Sequence, residues 1–116
     1  ALQVHGNNFD MIIVDPFHNF RGGGDFMALA NLRHEQIAIS HFNDTPASPS
    51  RFEQHDHSRV YPGEGHLNLR QWCALLKQIG YDRWLSLELF REDLWARDPR
   101  DVAQRGLDAM RLIAET

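Results

Sequence analysis

At 116 residues, 42% hydrophobic and 24% charged, the chain has the size and make-up of one small globular domain. Its formal charge of −4 implies no dense basic face, so nucleic acid is not an expected partner. No apolar run exceeds five residues, against the roughly 20 that a membrane span needs, and a single cysteine, Cys73, excludes an internal disulfide framework and makes a cytoplasmic setting the expectation.

Residues 1–10 read as the end of a helix or a loop feeding a strand, with turn chemistry at Gly6-Asn7-Asn8. The first residue is Ala1 rather than Met, and the chain is expected to be the later part of a longer polypeptide. Met11 to Val14 is a continuous apolar run, the sign of a strand covered on both faces, as parallel strands are. Pro16 cannot donate to a ladder and suits the strand exit. Arg21-Gly22-Gly23-Gly24 is expected to be a flexible loop, since it lacks the strand and the Gly-x-Gly-x-x-Gly context of a dinucleotide site. A short helix is predicted from Asp25, with Phe26, Leu29 and Ala30 at helical spacing and Asp25 near the cap.

Ile37 to Ser40 is the second strand. Phe42 to His66 reads as a loop, because Pro46, Pro49, Pro62, Gly63 and Gly65 break any period. So long an irregular stretch in a small domain is usually functional. Within it His55-Asp56-His57 is expected to face solvent rather than hold a metal. Asn68 can cap a helix that begins at Leu69, with Gln71 at its third position. Leu69, Trp72, Leu75, Leu76 and Ile79 form its apolar stripe, Cys73 reads as a small core residue, and Gly80 is the stop.

Trp84 to Leu89 is the third strand, and Glu92-Asp93 a solvated loop. Asp98 caps the last helix and Pro99 takes its first position, where the missing N–H costs nothing. Val102, Leu107, Met110 and Ile113 line one face of it. Trp72, Trp84 and Trp95 are expected to pack or cover surface. The order β-α-β-α-β-α with helical crossovers points to a parallel α/β architecture. In such a fold the C-terminal strand ends share one face, where the chemistry is kept. The three apolar runs stop at Asp15, His41 and Glu88, all side chains able to hold a metal.

Asp15-Pro-Phe-His18, His41-Phe-Asn-Asp44-Thr, Arg59-Val-Tyr-Pro-Gly-Glu-Gly65, Ile79-Gly-Tyr81 and Leu87-Glu88-Leu-Phe90 resemble, in order and spacing, the C-terminal portion of the sugar phosphate isomerase/epimerase family. Those proteins are xylose isomerase-like TIM barrels, and inosose isomerases and dehydratases come closest in pattern. The resemblance runs from about Asn7 to Ile113. It implies that residues 1–116 form a partial barrel domain, about three βα units from the end of an eight-unit barrel, with the N-terminal units lying outside this chain. In that family two acidic strand-end residues, a histidine and a further glutamate hold one divalent metal. By that resemblance Asp15, His41 and Glu88 are three of the ligands, the fourth comes from upstream, and His18 and Arg59 contact substrate. Asp44 receives no ligand role. Ser58 departs from the acidic residue often found before the family's arginine, which bears on the network around Arg59.

A donor set of oxygens with one imidazole suits manganese, magnesium, cobalt or zinc. Such an ion polarises a sugar carbonyl and its neighbouring hydroxyl and stabilises the enediolate, while Glu88 and the upstream glutamate would move the proton between carbons. The expected function is therefore a metal-dependent isomerase or epimerase of a small sugar, sugar phosphate or inosose. Loss of a hydroxyl from the next carbon would make it a dehydratase instead. An apurinic-site endonuclease of the zinc TIM-barrel type also fits Asp15-x-x-His18 and His41-Phe-Asn-Asp44, with His57 in its extra zinc set. The acidic balance and the Glu88-Leu-Phe90 ending weigh against it. The remaining alternative is an inactive barrel fragment. Three βα units leave two unpaired sheet edges and an uncovered apolar face, so the isolated polypeptide is expected to associate with the missing barrel half or with itself, or to stay partly molten.

Overall fold

The computed structural model describes residues 11–115, so the reading of residues 1–10 lies outside the described residues. Three parallel strands, β1 (Ile12–Val14), β2 (Ile37–Phe42) and β3 (Leu85–Leu87), lie side by side in that order. Val14 stands opposite Ser40, and Ser40, His41 and Phe42 stand opposite Leu85, Ser86 and Leu87. Helices α1 (Pro16–Arg21), α2 (Leu69–Gln78), α3 (Glu92–Trp95) and α4 (Pro99–Ala114) connect and follow the strands. This is the expected α/β arrangement of three βα units. No helix among the described residues is long and apolar enough to cross a membrane.

The core forms where α2 and the 3-10 helix Phe26–Asn31 close over the sheet. Phe26, Leu29, Ile37, Leu69, Trp72, Leu75 and Leu76 are all buried, each large side chain contributing roughly 1.5–3 kcal/mol. The Phe26 ring meets Trp72 edge-on at 4.8 Å, and the Trp72 indole N–H donates to Ser40 Oγ at 3.1 Å, so the one polar atom of a buried ring is satisfied. The predicted caps are in place. Asp25, Asn68 and Asp98 each accept a backbone N–H at the start of their helix.

Three local expectations are corrected. Pro16 leaves the strand but also opens α1: Asp15 is its N-cap, accepting from His18 N at 3.1 Å, and Pro16 takes the first helical position. Arg21 closes that helix, and the Gly22 and Gly24 amides donate back to the His18 and Asn19 carbonyls at 2.9 Å each, so the glycine run is a tied helix end. Glu92 and Asp93 start the single turn of α3 rather than a loop.

Residues 43–67 are irregular, as expected, but tightly bound. Asp44 and Val60 form an isolated antiparallel bridge. The Asp44 carboxylate accepts from four backbone amides: Thr45 and Leu67 at 2.8 and 3.0 Å, Gly63 and Gly65 at 2.9 and 3.1 Å. Gln54, fully buried, donates to the Pro46 and Pro49 carbonyls at 2.7 and 2.9 Å and accepts from the Thr45 hydroxyl. A Cβ on Gly65 would overlap Asp44 Oδ1 and the Thr45 backbone, so only glycine lets the chain pass there.

At the start of β3 the Tyr81 hydroxyl donates to the Trp84 carbonyl at 2.6 Å and accepts from Ser40 N at 3.0 Å. Gly106 on α4 is buried, and a Cβ there would overlap the Leu87 side chain. The missing side chain brings α4 close to β3.

Candidate functional site

The register explains why three distant residues meet. Asp15 follows Val14, which faces Ser40, so the next step places Asp15 beside His41. Glu88 follows Leu87, which faces Phe42, and projects from the same rim. His41 Nδ1 lies 2.5 Å from Glu88 Oε2 and 3.3 Å from Asp15 Oδ2. One donor atom from each residue falls within 4.8 Å of the others, and no other group of His, Cys, Asp or Glu among the described residues converges this way. The Asp15 side chain is buried, while those of His41 and Glu88 are partly open.

The donor set fits a divalent ion. Ligand bonds of about 2.1 Å place neighbouring donor atoms roughly 3 Å apart, close to the Asp15–His41 separation. The shorter His41–Glu88 contact would open slightly. Two carboxylate oxygens and one ring nitrogen suit borderline and hard cations alike.

Asn43 fixes this arrangement from behind. It is fully buried. Its Nδ2 donates to both Asp15 oxygens at 3.2 Å and to the Glu88 carbonyl at 3.3 Å, and its Oδ1 accepts from Phe17 N at 3.1 Å. One side chain thereby joins α1 to the ends of β2 and β3. Sequence reasoning gave Asn43 no role. The signal was its place two residues beyond His41, just past the end of β2, where strand alternation carried one step on puts both side chains on one face.

Arg59 is also inside, 1% exposed. Its Nη1 lies 3.5 Å from Asp15 Oδ2 and 3.5 Å from Glu88 Oε2. Its Nε donates to the Asp56 carbonyl and its Nη2 pairs with Asp56 Oδ1, both at 3.1 Å. The Phe17 and Phe90 rings lie 5.1 and 4.7 Å from its Cζ. The acid nearest this arginine is Asp56, three residues earlier, with Ser58 in the adjacent position.

His18 stands exposed on α1, in the wall of a cleft of about 750 Å³ that also holds Asp15, His41 and Glu88 and is otherwise mainly apolar, with Ile13, Leu29 and Leu32. His55 and His57 are exposed, as expected, with their rings stacked 5.7 Å apart, and are not part of the converging group. Asp44 holds the loop, as described above, and faces no ligand position.

Residues 7–113 match a family model described as xylose isomerase-like TIM barrel. The inosose isomerase of Halalkalibacterium halodurans is 32% identical over 107 residues, 92% of this chain and 38% of its own length. That of Bacillus subtilis is 31% identical over 93 residues, 80% of this chain and 33% of its own. A 3-dehydroshikimate dehydratase of Pseudomonas putida is 29% identical over 105 residues, 90% of this chain and 16% of its own. Among solved structures, an IOLI protein with a binding zinc atom superimposes with a TM-score of 0.82 at 28% identity, covering 90% of this chain and 37% of that one. The chain thus spans less than two fifths of the length of each of these relatives.

Proposed function

The chain belongs to the xylose isomerase-like TIM barrel family, and from that premise we propose that it supplies three ligands of a divalent-metal site for isomerising or epimerising a small sugar, sugar phosphate or inosose. The observation that carries this reading is the meeting of Asp15, His41 and Glu88 within 4.8 Å at the strand ends. The inosose isomerases among its relatives support the substrate class. In this reading the chain works within a complete barrel whose remaining βα units, and a fourth ligand, lie outside this stretch.

A bound manganese, magnesium, cobalt or zinc ion would polarise the substrate carbonyl and its neighbouring hydroxyl. The chain's own residues do the rest. Asn43 holds the Asp15 carboxylate in one orientation, so that ligand needs little rearrangement. His41 is carried within β2 itself, the central strand of the described sheet. Glu88 is partly open to the cleft, where it can take a proton from the carbon beside the carbonyl and return it. His18 contacts substrate hydroxyls from the open rim, and Arg59, buried behind the two carboxylates, holds Asp15 and Glu88 in place through Nη1. The apolar wall of Ile13, Leu29 and Leu32 limits water near the reacting carbons.

A second reading is favoured by the similarity to 3-dehydroshikimate dehydratases. The same proton abstraction, followed by departure of hydroxide from the next carbon, is a dehydration. Both readings are tested in the full-length chain. Asp15→Asn and Glu88→Gln should each weaken manganese binding, read by calorimetry, by at least about tenfold and remove turnover of an inosose. Product NMR separates an isomer from a dehydrated product. Unchanged manganese affinity in both variants would end the ligand assignment.

A further inference from the structure

We infer that Arg59 is a resident counter-cation of the carboxylate pair, so that a divalent ion enters the site against a positive charge the chain itself keeps there. This rests on the reading of Asp15, His41 and Glu88 as ligands. Arg59 Nη1 is equidistant, at 3.5 Å, from Asp15 Oδ2 and Glu88 Oε2, the same two oxygens that face His41 Nδ1. An arginine cannot lose its proton in a protein. At 1% exposure the guanidinium lies out of reach of bulk water and salt, which screen buried charges poorly. It is also locked. Phe17 and Phe90 pack on it, and Asp56 binds it through both a carbonyl and a carboxylate oxygen.

Two opposed consequences follow. Without an ion, two carboxylates close enough to share one repel each other, and Arg59 offsets that repulsion. With an ion, the same charge repels the newcomer and keeps it exchangeable. The second effect outweighs the loss of placement when Arg59 is removed, because other groups hold the ligands. Asp15 is fixed by Asn43 Nδ2 and by His18 N, and His41 by its strand. The role is separate from any contact with substrate and is tested without substrate.

The experiment compares Arg59→Met, which keeps an unbranched chain between the two rings without charge, with Arg59→Lys, which keeps the charge. Manganese affinity is measured by calorimetry in the full-length chain, with thermal melting in the presence and absence of manganese. Arg59→Met is expected to bind manganese at least about tenfold more tightly than the wild type, and Arg59→Lys within about threefold of it. Arg59→Met should also melt lower without the ion and gain more from adding it. A variant that folds only with manganese present supports the role, since the ion then supplies the missing charge. Arg59→Met binding manganese equally or more weakly, Arg59→Lys tightening as much as Arg59→Met, or Arg59→Met unfolded under both conditions would each overturn it. A wild type that binds no manganese defeats the ligand reading as well; a wild type that binds, beside an unmoved Arg59→Met, defeats this inference alone.

Discussion

The loop of residues 43–67 and the helix α4 invert the usual association of regular structure with a fixed place. The loop has almost no repeating structure, yet Asn43, Asp44, Thr45, Gln54 and Arg59 within it are at most 1% exposed. The 16-residue helix buries only Gly106 and Ile113 and leaves Leu107 and Leu112 42% and 70% exposed. The cause is where each backbone finds its partners. A helix satisfies its own amides and needs neighbours only for its apolar stripe. An irregular chain that is buried must find partners for its amides and carbonyls outside any regular ladder, and here Asp44 accepts from four amides while Gln54 donates to two carbonyls. The loop is therefore committed to one position, which is what a site built on Asn43 and Arg59 requires. The helix is committed only to a face.

The largest test of this contrast is Asp44→Ala. It strips the acceptor from four backbone amides and should cost about 4 kcal/mol by chemical denaturation, with faster hydrogen exchange at Gly63, Gly65 and Leu67. A cost below about 1 kcal/mol would mean the loop is held by something else. Next comes one substitution made in both regions. Gly65→Ala drives a methyl into backbone atoms of Thr45 and should cost about 2–3 kcal/mol. Gly106→Ala overlaps the Leu87 side chain, which can rotate, and touches Tyr61 only at ordinary contact distance, while the helix regains about 1 kcal/mol of propensity. Its net effect should stay under about 1 kcal/mol, and equal costs at the two sites would erase the distinction.

Cys73, on the well-buried α2, gives a reference between these extremes. Burial pushes its thiol above the ordinary 9.0, with Lys77 pulling weakly the other way. A raised value in the folded chain means a stabilising contribution that is complete below pH 9.0 and is lost as pH climbs through the higher folded value. Alkylation of native protein at pH 8 should run at least about tenfold slower than after denaturation. The smallest effect is expected on α4: Leu112→Lys should change stability by no more than about 0.5 kcal/mol.

Much of this fold could be read from the chain because its signals are local. The three apolar runs, the Asn68 and Asp98 caps and the stripe of α2 each need only a few neighbouring residues. Asp15-Pro16 carries the same cap-and-proline signature as Asp98-Pro99. It was outweighed because a proline directly after an apolar run also fits a strand exit. The convergence of Asp15, His41 and Glu88 was legible since parallel strands end on one face. The loop's order was not, because Asp44 finds three of its four amides 19 to 23 residues away. Nor was the packing of Arg59, which draws Phe17 and Phe90 from segments that touch only in the folded chain.

Tyr81 has a consequence for a residue far above it. Its phenol oxygen sits between the central strand and the entry to the third, touching Ser40 and Trp84, and so works as a peg that stops β3 from sliding. A slip of one residue would turn every side chain of that strand over and carry Glu88 out of the cleft. A hydroxyl at the entry to β3 thus sets the height of a carboxylate at its exit, and Tyr81→Phe would blur that setting while leaving the ring in place.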